Sequence, residues 1–456
     1  MSKSKKDKIQ FVCQACGFVS FRWIGRCSEC ESWNSMVEER VIPPSQNRSI
    51  IEKSIISPIP LSEIQSYKEE RIACHSQEFN RVLGGGIVPG SLVLIGGSPG
   101  IGKSTLMLQE AAQLAQNGLN ALYVSGEESV TQTKMRANRL GVNSDKLFIL
   151  PENNLDNVFN EIDKIKPSLV IIDSIQTIYR SVLQSAPGSI SQVRECAQQF
   201  LQLSKNKNIP VFLIGHVTKE GYIAGPKVLE HTVDTLLLFD GDNHNFFRIL
   251  RAAKNRFGST NEIGVFEMTD KGLEEVSNPS EIFLSQRKTD ASGSVVISVM
   301  EGTRPLLLEV QALVTASNYG LPQRSSTGID AKRLSMLLAV LEKRVGLKLG
   351  ISDVFVNAVG GVRIDETSAD LGIALAIVSS FRNQRVTPNA VLIGEVGLTG
   401  EIRPVAHIER RVAEAEKLGF KGALMPAANF RSLKKKTTMK IKSVDKLSDA
   451  VDIFIS

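Results

Sequence analysis

Gly97-Ser98-Pro99-Gly100-Ile101-Gly102-Lys103-Ser104 fits the pattern GxxxxGK[ST] at every fixed position. It follows the apolar run Leu92 to Ile95 and opens the stretch TLMLQEAAQLAQ, which reads as a helix. Strand, glycine-rich turn and helix in that order are the context in which this pattern binds nucleotide. Glycines let successive backbone N–H groups wrap phosphate oxygens at the positive end of a helix. Lys103 is then placed to reach the β- and γ-phosphates of ATP, and the Ser104 hydroxyl to ligate Mg²⁺. Thr105, the next residue, completes the expected nucleotide-binding set.

Outward from this loop, from about residue 66 to 275, short apolar runs alternate with longer amphipathic stretches. The runs SLVLIG, ALYVSG, SLVIID and PVFLIGH read as buried strands of a parallel sheet, and the stretches between them as crossover helices. Asp173 ends the run Leu169-Val170-Ile171-Ile172-Asp173. A carboxylate there lies at the sheet edge beside the phosphate loop, where it can hold Mg²⁺ through water. Its alternative is to cap the following helix. Between the two motifs, Val124-Ser125-Gly126-Glu127-Glu128 ends a strand. Hydrolysis needs a group to polarise the attacking water, and one of these two carboxylates is the expected general base. The residues themselves do not say which.

The N-terminal 35 residues hold two close cysteine pairs, Cys13/Cys16 and Cys27/Cys30. Four thiolates on two CxxC knuckles give the closed tetrahedral shell of structural Zn²⁺, with no position left for catalysis. So small a module has little core of its own, and the metal would supply its folding energy. Arg22 and Trp23, between the pairs, either contact nucleic acid or pack against the ribbon. Cys74 and Cys196 lie far apart and read as core residues. Residues 36–65, rich in Ser, Pro and Ile without a period, read as a linker. From about 280 the pattern restarts, with SVVISVM and LLLEVQALV as strands and AKRLSMLLAVLEKRVG and ADLGIALAIVSSF as helices.

Composition bounds the rest. The chain has 456 residues, a formal charge of +6 and 42% hydrophobic residues, the profile of a multidomain globular protein. The charge permits a polyanionic partner without requiring one. No run is long enough to span a bilayer, and MSKSKKDKIQFVC lacks the apolar core of a signal peptide, so a cytoplasmic location without membrane contact is expected.

The ordered set of motifs resembles the RadA (Sms) family of bacterial DNA-repair proteins. It comprises the four-cysteine ribbon, LGGGIVPGSLVLIGGSPGIGKST, YVSGEES, VIIDSIQT, GHVTKEG, and the signature Lys254-Asn255-Arg256-Phe257-Gly258. One departure is Cys74-His75, where the family usually has Thr-Gly. The resemblance implies a RecA-like α/β core related to hexameric helicases. It selects Glu127 over Glu128 as the base and makes His216 a γ-phosphate sensor. It also makes Lys254 and Arg256 a cationic pair reaching the nucleotide of a neighbouring subunit. The implied assembly is a homo-hexamer, and the implied partners are single-stranded or branched DNA and the RecA recombinase. The implied function is that of a DNA-dependent ATPase acting as a motor in recombinational repair.

Residues 280–456 resemble the peptidase domain of Lon, an α+β domain. Gly360-Gly361-Val362-Arg363 and Thr367-Ser368-Ala369-Asp370 fall around the peptidase serine, and GEVGLTGEIRPVAHIERR around its lysine. Ser368 takes the serine position, but Glu409 falls where the lysine is needed, and Arg410 and Arg411 stay protonated. A domain inactive as a peptidase, serving ring assembly and DNA contact, is therefore expected. An ATP-dependent peptidase and a nucleotide-switched assembly protein are the alternatives.

Overall fold

The structure, a computed structural model, describes residues 8–13, 17–41, 60, 70–183, 185–216, 229–240, 247–284, 287, 291–317, 322–359, 362–434 and 437–454. The chain divides into two compact units, Met1–Glu275 and Val276–Ser456. No helix among the described residues is long and apolar enough to cross a membrane.

The N-terminal ribbon is a three-stranded antiparallel sheet, β1 (Lys8–Cys13), β2 (Val19–Ser20) and β3 (Met36–Val41), in the order β2-β1-β3. Residues 36–41, read from the sequence as the start of the linker, instead form the third strand and pair along all of β1. The reason is Met36: it is buried against Cys13 and Cys27, so the ribbon's small core runs one strand further than the cysteines indicate.

The core that follows the ribbon contains α1 (Gln77–Leu83), β4 (Leu92–Gly97), α2 (Lys103–Gln116), β5 (Ala121–Ser125), α3 (Val130–Arg139) and β6 (Leu147–Leu150). It continues through α4 (Leu155–Ile165), β7 (Leu169–Asp173), α5 (Ile190–Lys207) and β8 (Val211–His216). Four further strands follow: β9 (Thr235–Asp240), β10 (Phe247–Asn255), β11 (Ile263–Thr269) and β12 (Gly272–Glu275). Nine strands make one sheet in the order β12-β11-β10-β9-β4-β8-β7-β5-β6. From β9 to β6 the pairing is parallel, as expected. The strands after β9 differ: β10, β11 and β12 return as an antiparallel meander without crossover helices.

Side-chain parity explains the layers. Leu92 and Leu94 of β4 join one core with α4 and α5, whereas Val93 and Ile95 join the other with α1 and α2. The same alternation runs through β5, β7 and β8. These strands are apolar on both faces because both faces are covered. Cys74 and Cys196 are buried in the two opposite cores, as read from the sequence.

The second unit has its own mixed sheet, in the order β15-β16-β14-β13-β17-β20-β21. Its strands are β13 (Ser294–Glu301), β14 (Arg304–Ala316), β15 (Arg324–Thr327), β16 (Ser352–Ala358), β17 (Ala390–Leu392), β20 (Gly422–Pro426) and β21 (Lys440–Val444), with β18 (Glu395–Val396) and β19 (Ile402–Arg403) forming a separate pair. The helix Asp370–Arg382 buries every residue from Asp370 to Ser379. Gly372 allows its close approach, since a Cβ there would stand 2.2 Å from Ile297 Cγ2.

Candidate functional site

The phosphate loop links the C-terminal end of β4 to the first turn of α2. Gly100 and Gly102 adopt φ +77° and +115°, which L side chains rarely take. A Cβ at Gly102 would stand 2.8 Å from Met268 Cε, a flexible tip that can yield, so it is the backbone conformation that demands glycine there. Gly102 is the N-cap of α2 and makes no side-chain cap, so the first N–H groups of the helix face the loop. Ser98, Pro99 and Gly100 are exposed, while Lys103 is buried. The Lys103 ammonium folds back to donate to the carbonyls of Gly97 (2.8 Å) and Ser98 (3.0 Å). Burial pushes it down to about 8, against the opposing pull of the Asp173 and Glu127 carboxylates.

Asp173 ends β7, and β8 lies between β7 and β4. Asp173 and Tyr123 share the face of the sheet that carries α2, by the parity of their strands. Tyr123 donates its phenolic hydrogen to Asp173 Oδ2 at 2.5 Å. Burial, then the Asp173 charge, raises the phenol well above its ordinary range, with the Ser104 hydroxyl acting the other way. Tyr123 thus stands between the two expected magnesium ligands, Ser104 and Asp173. Sequence reading passed over it as one more apolar strand residue; its only signal was a hydroxyl at a buried position. A hydroxyl and a carboxylate beside the phosphate loop are a donor set that fits Mg²⁺.

Glu127 and Glu128 part company. Ser174 donates to Glu127 Oε1 at 2.5 Å, which keeps that carboxylate beside the end of β7. Glu128 is ion-paired with Arg136 of α3 and immediately precedes Ser129, the N-cap in the capping box that starts that helix. Gly126, just before both, lets Thr177 pack close to the strand end, since a Cβ there would meet Thr177 Oγ1 at 2.0 Å. His216 pairs with Gly97 at the end of β8, between the phosphate loop and Asp173. Its side chain lies outside the described residues.

The segment Lys254–Gly258 is elsewhere. A β-bulge between Ala252 and Lys254 precedes it, and Asn255 pairs with Thr235 at the beginning of β9. Thr235 lies level with Val93, four residues before Gly97 along the strand direction. At about 3.3 Å per residue, Asn255 is about 13 Å below the phosphate-loop end of the sheet. The segment is fixed there. Asn255 donates to the carbonyls of Val82 and Leu83, Arg71 donates to the Phe257 carbonyl at 2.6 Å, and Gly258 abuts Gly84. Lys254 donates to the Glu230 carbonyl at 2.6 Å, and burial lowers its ammonium. Arg256 is more than half exposed and reaches Asp234 at 3.4 Å. The chain therefore brings Lys103, Ser104, Asp173 and Glu127 together but holds Lys254 and Arg256 apart from them.

In the ribbon, the Sγ atoms of Cys13, Cys27 and Cys30 lie within 4.8 Å of one another, with Cys13 and Cys30 3.6 Å apart. Zn–S bonds of about 2.3 Å in a tetrahedron place sulfurs about 3.8 Å apart, so the cluster fits zinc. Cys16, the expected fourth ligand, lies outside the described residues. The two knuckles share one hydrogen-bond pattern. Cys13 N–H donates to Phe18 O and Cys27 N–H to Ser32 O, while Gly17 and Glu31 donate back to the cysteine carbonyls. Gly17 and Glu31 both take positive φ. Trp23 does not join the ribbon core, which is packed by Phe11, Phe18 and Ile24.

In the second unit, Ser368 is buried and donates to Ser298 O at 3.2 Å. It accepts from Arg411 Nη1 at 3.1 Å. Arg411, fully buried, also donates to Ser298 O at 2.6 Å and is ion-paired with Glu366. An arginine thus occupies the space beside the serine. Glu409 accepts instead from the Lys434 N–H at 3.2 Å.

Three family models match the chain: "Rubredoxin metal binding domain" over residues 11–38, "AAA domain" over 59–222, and "Subunit ChlI of Mg-chelatase" over 320–429. A solved structure of a KaiC-like protein from Pyrococcus horikoshii is 20% identical, with a TM-score of 0.39, covering 45% of this chain and 98% of that one. DNA repair protein RadA of Halalkalibacterium halodurans is 52% identical over 451 residues, 98% of this chain and 99% of that one. The Bacillus subtilis protein of the same name is 52% identical over 450 residues, 98% of each. Likeness of that depth, running from the ribbon to the end of the second unit, has one meaning: the chain belongs to the RadA family of DNA repair proteins.

Proposed function

We propose that this chain is a cytoplasmic, DNA-stimulated ATP hydrolase that works as a closed ring, a hexamer, and moves DNA strands at recombination intermediates together with RecA. The observation that carries the reading is the division of the site. Lys103, Ser104, Asp173 and Glu127 gather at the C-terminal end of the parallel strands, and Lys254 and Arg256 are anchored toward their opposite end. One copy cannot bring its own Arg256 to its own phosphate loop without unpairing β10. A neighbour in a ring can, because head-to-tail contacts set different faces of adjacent copies against each other.

In this reading the loop amides and the α2 N-terminus hold the phosphates, and Lys103 leaves its two carbonyls to meet them. Magnesium, held by Ser104 and by Asp173 through water, would neutralise charge on the phosphates. Glu127 orients the attacking water and accepts its proton; Glu128 is committed to Arg136. His216 stands at the strand end between them as the sensor. Arg256 of the neighbour stabilises the charge that develops as the terminal phosphoryl group departs. Hydrolysis is thereby tied to assembly.

The second unit is proposed as a scaffold without peptidase activity. Ser368 is enclosed and hydrogen-bonded to a permanently charged guanidinium, which can donate but cannot take a proton. The test of the whole reading is turnover with and without single-stranded DNA at low salt, paired with the mass of the assembled particle. Turnover that rises with DNA on a hexamer supports it; turnover indifferent to DNA, or carried by a monomer, overturns it.

A further inference from the structure

The ribbon carries three large aromatic side chains that its core does not use. Phe21, Trp23 and Trp33 are 77%, 57% and 72% exposed. Two of them converge. A Cβ on Gly25 would lie 3.6 Å from the Trp23 ring and 4.0 Å from the Trp33 ring, so both indoles flank one glycine. Local structure fixes this arrangement. Arg26 and Trp33 form a β-bridge, and the Asn34 N–H donates to the Gly25 carbonyl at 2.8 Å. The Arg26 guanidinium sits 5.9 Å from the Trp33 ring centre and is held by Glu31. On the other side, Ser20 donates to the Arg22 carbonyl at 2.7 Å, which sets the turn carrying Phe21 and Arg22. From Gly17 to Asn34 the chain has Arg22 and Arg26 against Glu29 and Glu31, and Glu31 is taken up by Arg26.

Exposed indoles around a bare glycine are costly to leave in water unless something covers them. Arg22 adjoins Trp23 in the chain, Arg26 lies over Trp33, and the open faces of both indoles are flat. Unpaired nucleobases offer flat faces beside a phosphate backbone; a duplex keeps its base faces stacked and out of reach. We propose that Trp23 and Trp33, with Arg22 and Arg26, form a base-stacking platform for single-stranded DNA. The proposal rests on DNA being this chain's partner, and it assigns to the ribbon a direct contact with unpaired bases.

Trp23 and Trp33 are the only two tryptophans in the chain, so intrinsic tryptophan emission of the full-length, zinc-loaded protein reports on this surface alone. Titration with a short oligothymidylate, without nucleotide, should quench that emission in step with the anisotropy of a labelled copy of the oligonucleotide. A duplex of equal length should leave the emission unchanged. Trp33→Ala should weaken oligothymidylate binding about 5- to 150-fold, and Trp33→Phe should restore most of it. Zinc content equal to the parent's shows that the ribbon of each variant remains folded. Three results overturn the proposal: oligonucleotide binding that leaves the emission unmoved, a Trp23→Ala/Trp33→Ala variant that binds as tightly as the parent, or quenching by a protein partner but not by the oligonucleotide. If turnover rises with single-stranded DNA while the emission stays flat, the platform fails and the motor reading stands; if DNA neither binds nor stimulates, both fail.

Discussion

Arg256 lies 3.4 Å from the buried carboxylate of Asp234, toward the end of the core sheet opposite Lys103. Asp234 also accepts from Leu92 N–H at 3.0 Å and Lys205 Nζ at 2.8 Å, so it fixes that end rather than serving Arg256 alone. Arg256→Ala should leave folding and ATP binding intact, because the residue is more than half exposed and far from its own phosphate loop. Turnover should fall about 10³-fold or more, the usual worth of an arginine finger. Equilibrium binding of a labelled ATP analogue beside a turnover assay separates the two effects.

Tyr123→Phe removes the donor to Asp173 while keeping the ring that fills the core. One hydrogen bond to a charged group is worth about 1.5 kcal/mol or more. The Mg²⁺ concentration for half-maximal turnover should therefore rise about tenfold. An unchanged magnesium dependence would mean that Tyr123 supports only packing.

Lys103 gives a pH dependence with a defined sign. Its ammonium sits at about 8 in the folded chain against an ordinary 10.5, through burial. The unfolded state therefore binds more protons between those values, and this group's contribution to stability rises with pH across that window. ATP phosphates favour the charged form. Binding at about pH 9 should then take up a proton, and affinity should weaken as pH climbs above 8. Calorimetry of ATP binding in buffers of different ionisation heat, at about pH 7 and about pH 9, measures that uptake. Equal uptake at both would contradict the assignment.

Much of this was legible locally. The phosphate loop, Asp173 at a strand end and the paired cysteines each depend on residues close in sequence. What was hidden depends on distant partners. In the sequence Arg411 is only a cation that stays protonated near Glu409, yet it is fully buried because Ser298, Glu366 and Ser368 converge on it from other elements. The strand β10 alternates in burial, but one of its buried positions is Arg248, which no apolar period announces, and its antiparallel pairing depends on β9 and β11. Tyr123 was hidden in the same way, its partner Asp173 lying two strand connections downstream.

Arg411→Ala should strip Glu366 of its counter-charge and destabilise the second unit by about 3–5 kcal/mol. Ser368→Ala should cost only about 1 kcal/mol and leave turnover unchanged. Thermal melts with turnover assays compare them. Hydrolysis of an unfolded protein substrate that stops in Ser368→Ala would revive a peptidase role.

Removing zinc should unfold the ribbon alone, since the metal carries the folding energy of a core of so few residues. Metal analysis should find one zinc per chain, and Cys16→Ser or Cys27→Ser should release it. The melting transition of the ATPase core should not move. Loss of core stability with the zinc would show the ribbon to be part of the core's fold.

The shared pocket is tested by mixing two inactive proteins. Lys103→Ala lacks a working phosphate loop but keeps Arg256; Arg256→Ala lacks the finger but keeps Lys103. Each alone should be inert. Reassembled in equal amounts, about one interface in four joins an intact loop to an intact finger, so roughly a quarter of the parent's turnover should return. Mixed rings of confirmed composition that stay as inactive as either variant would contradict a site built by two copies.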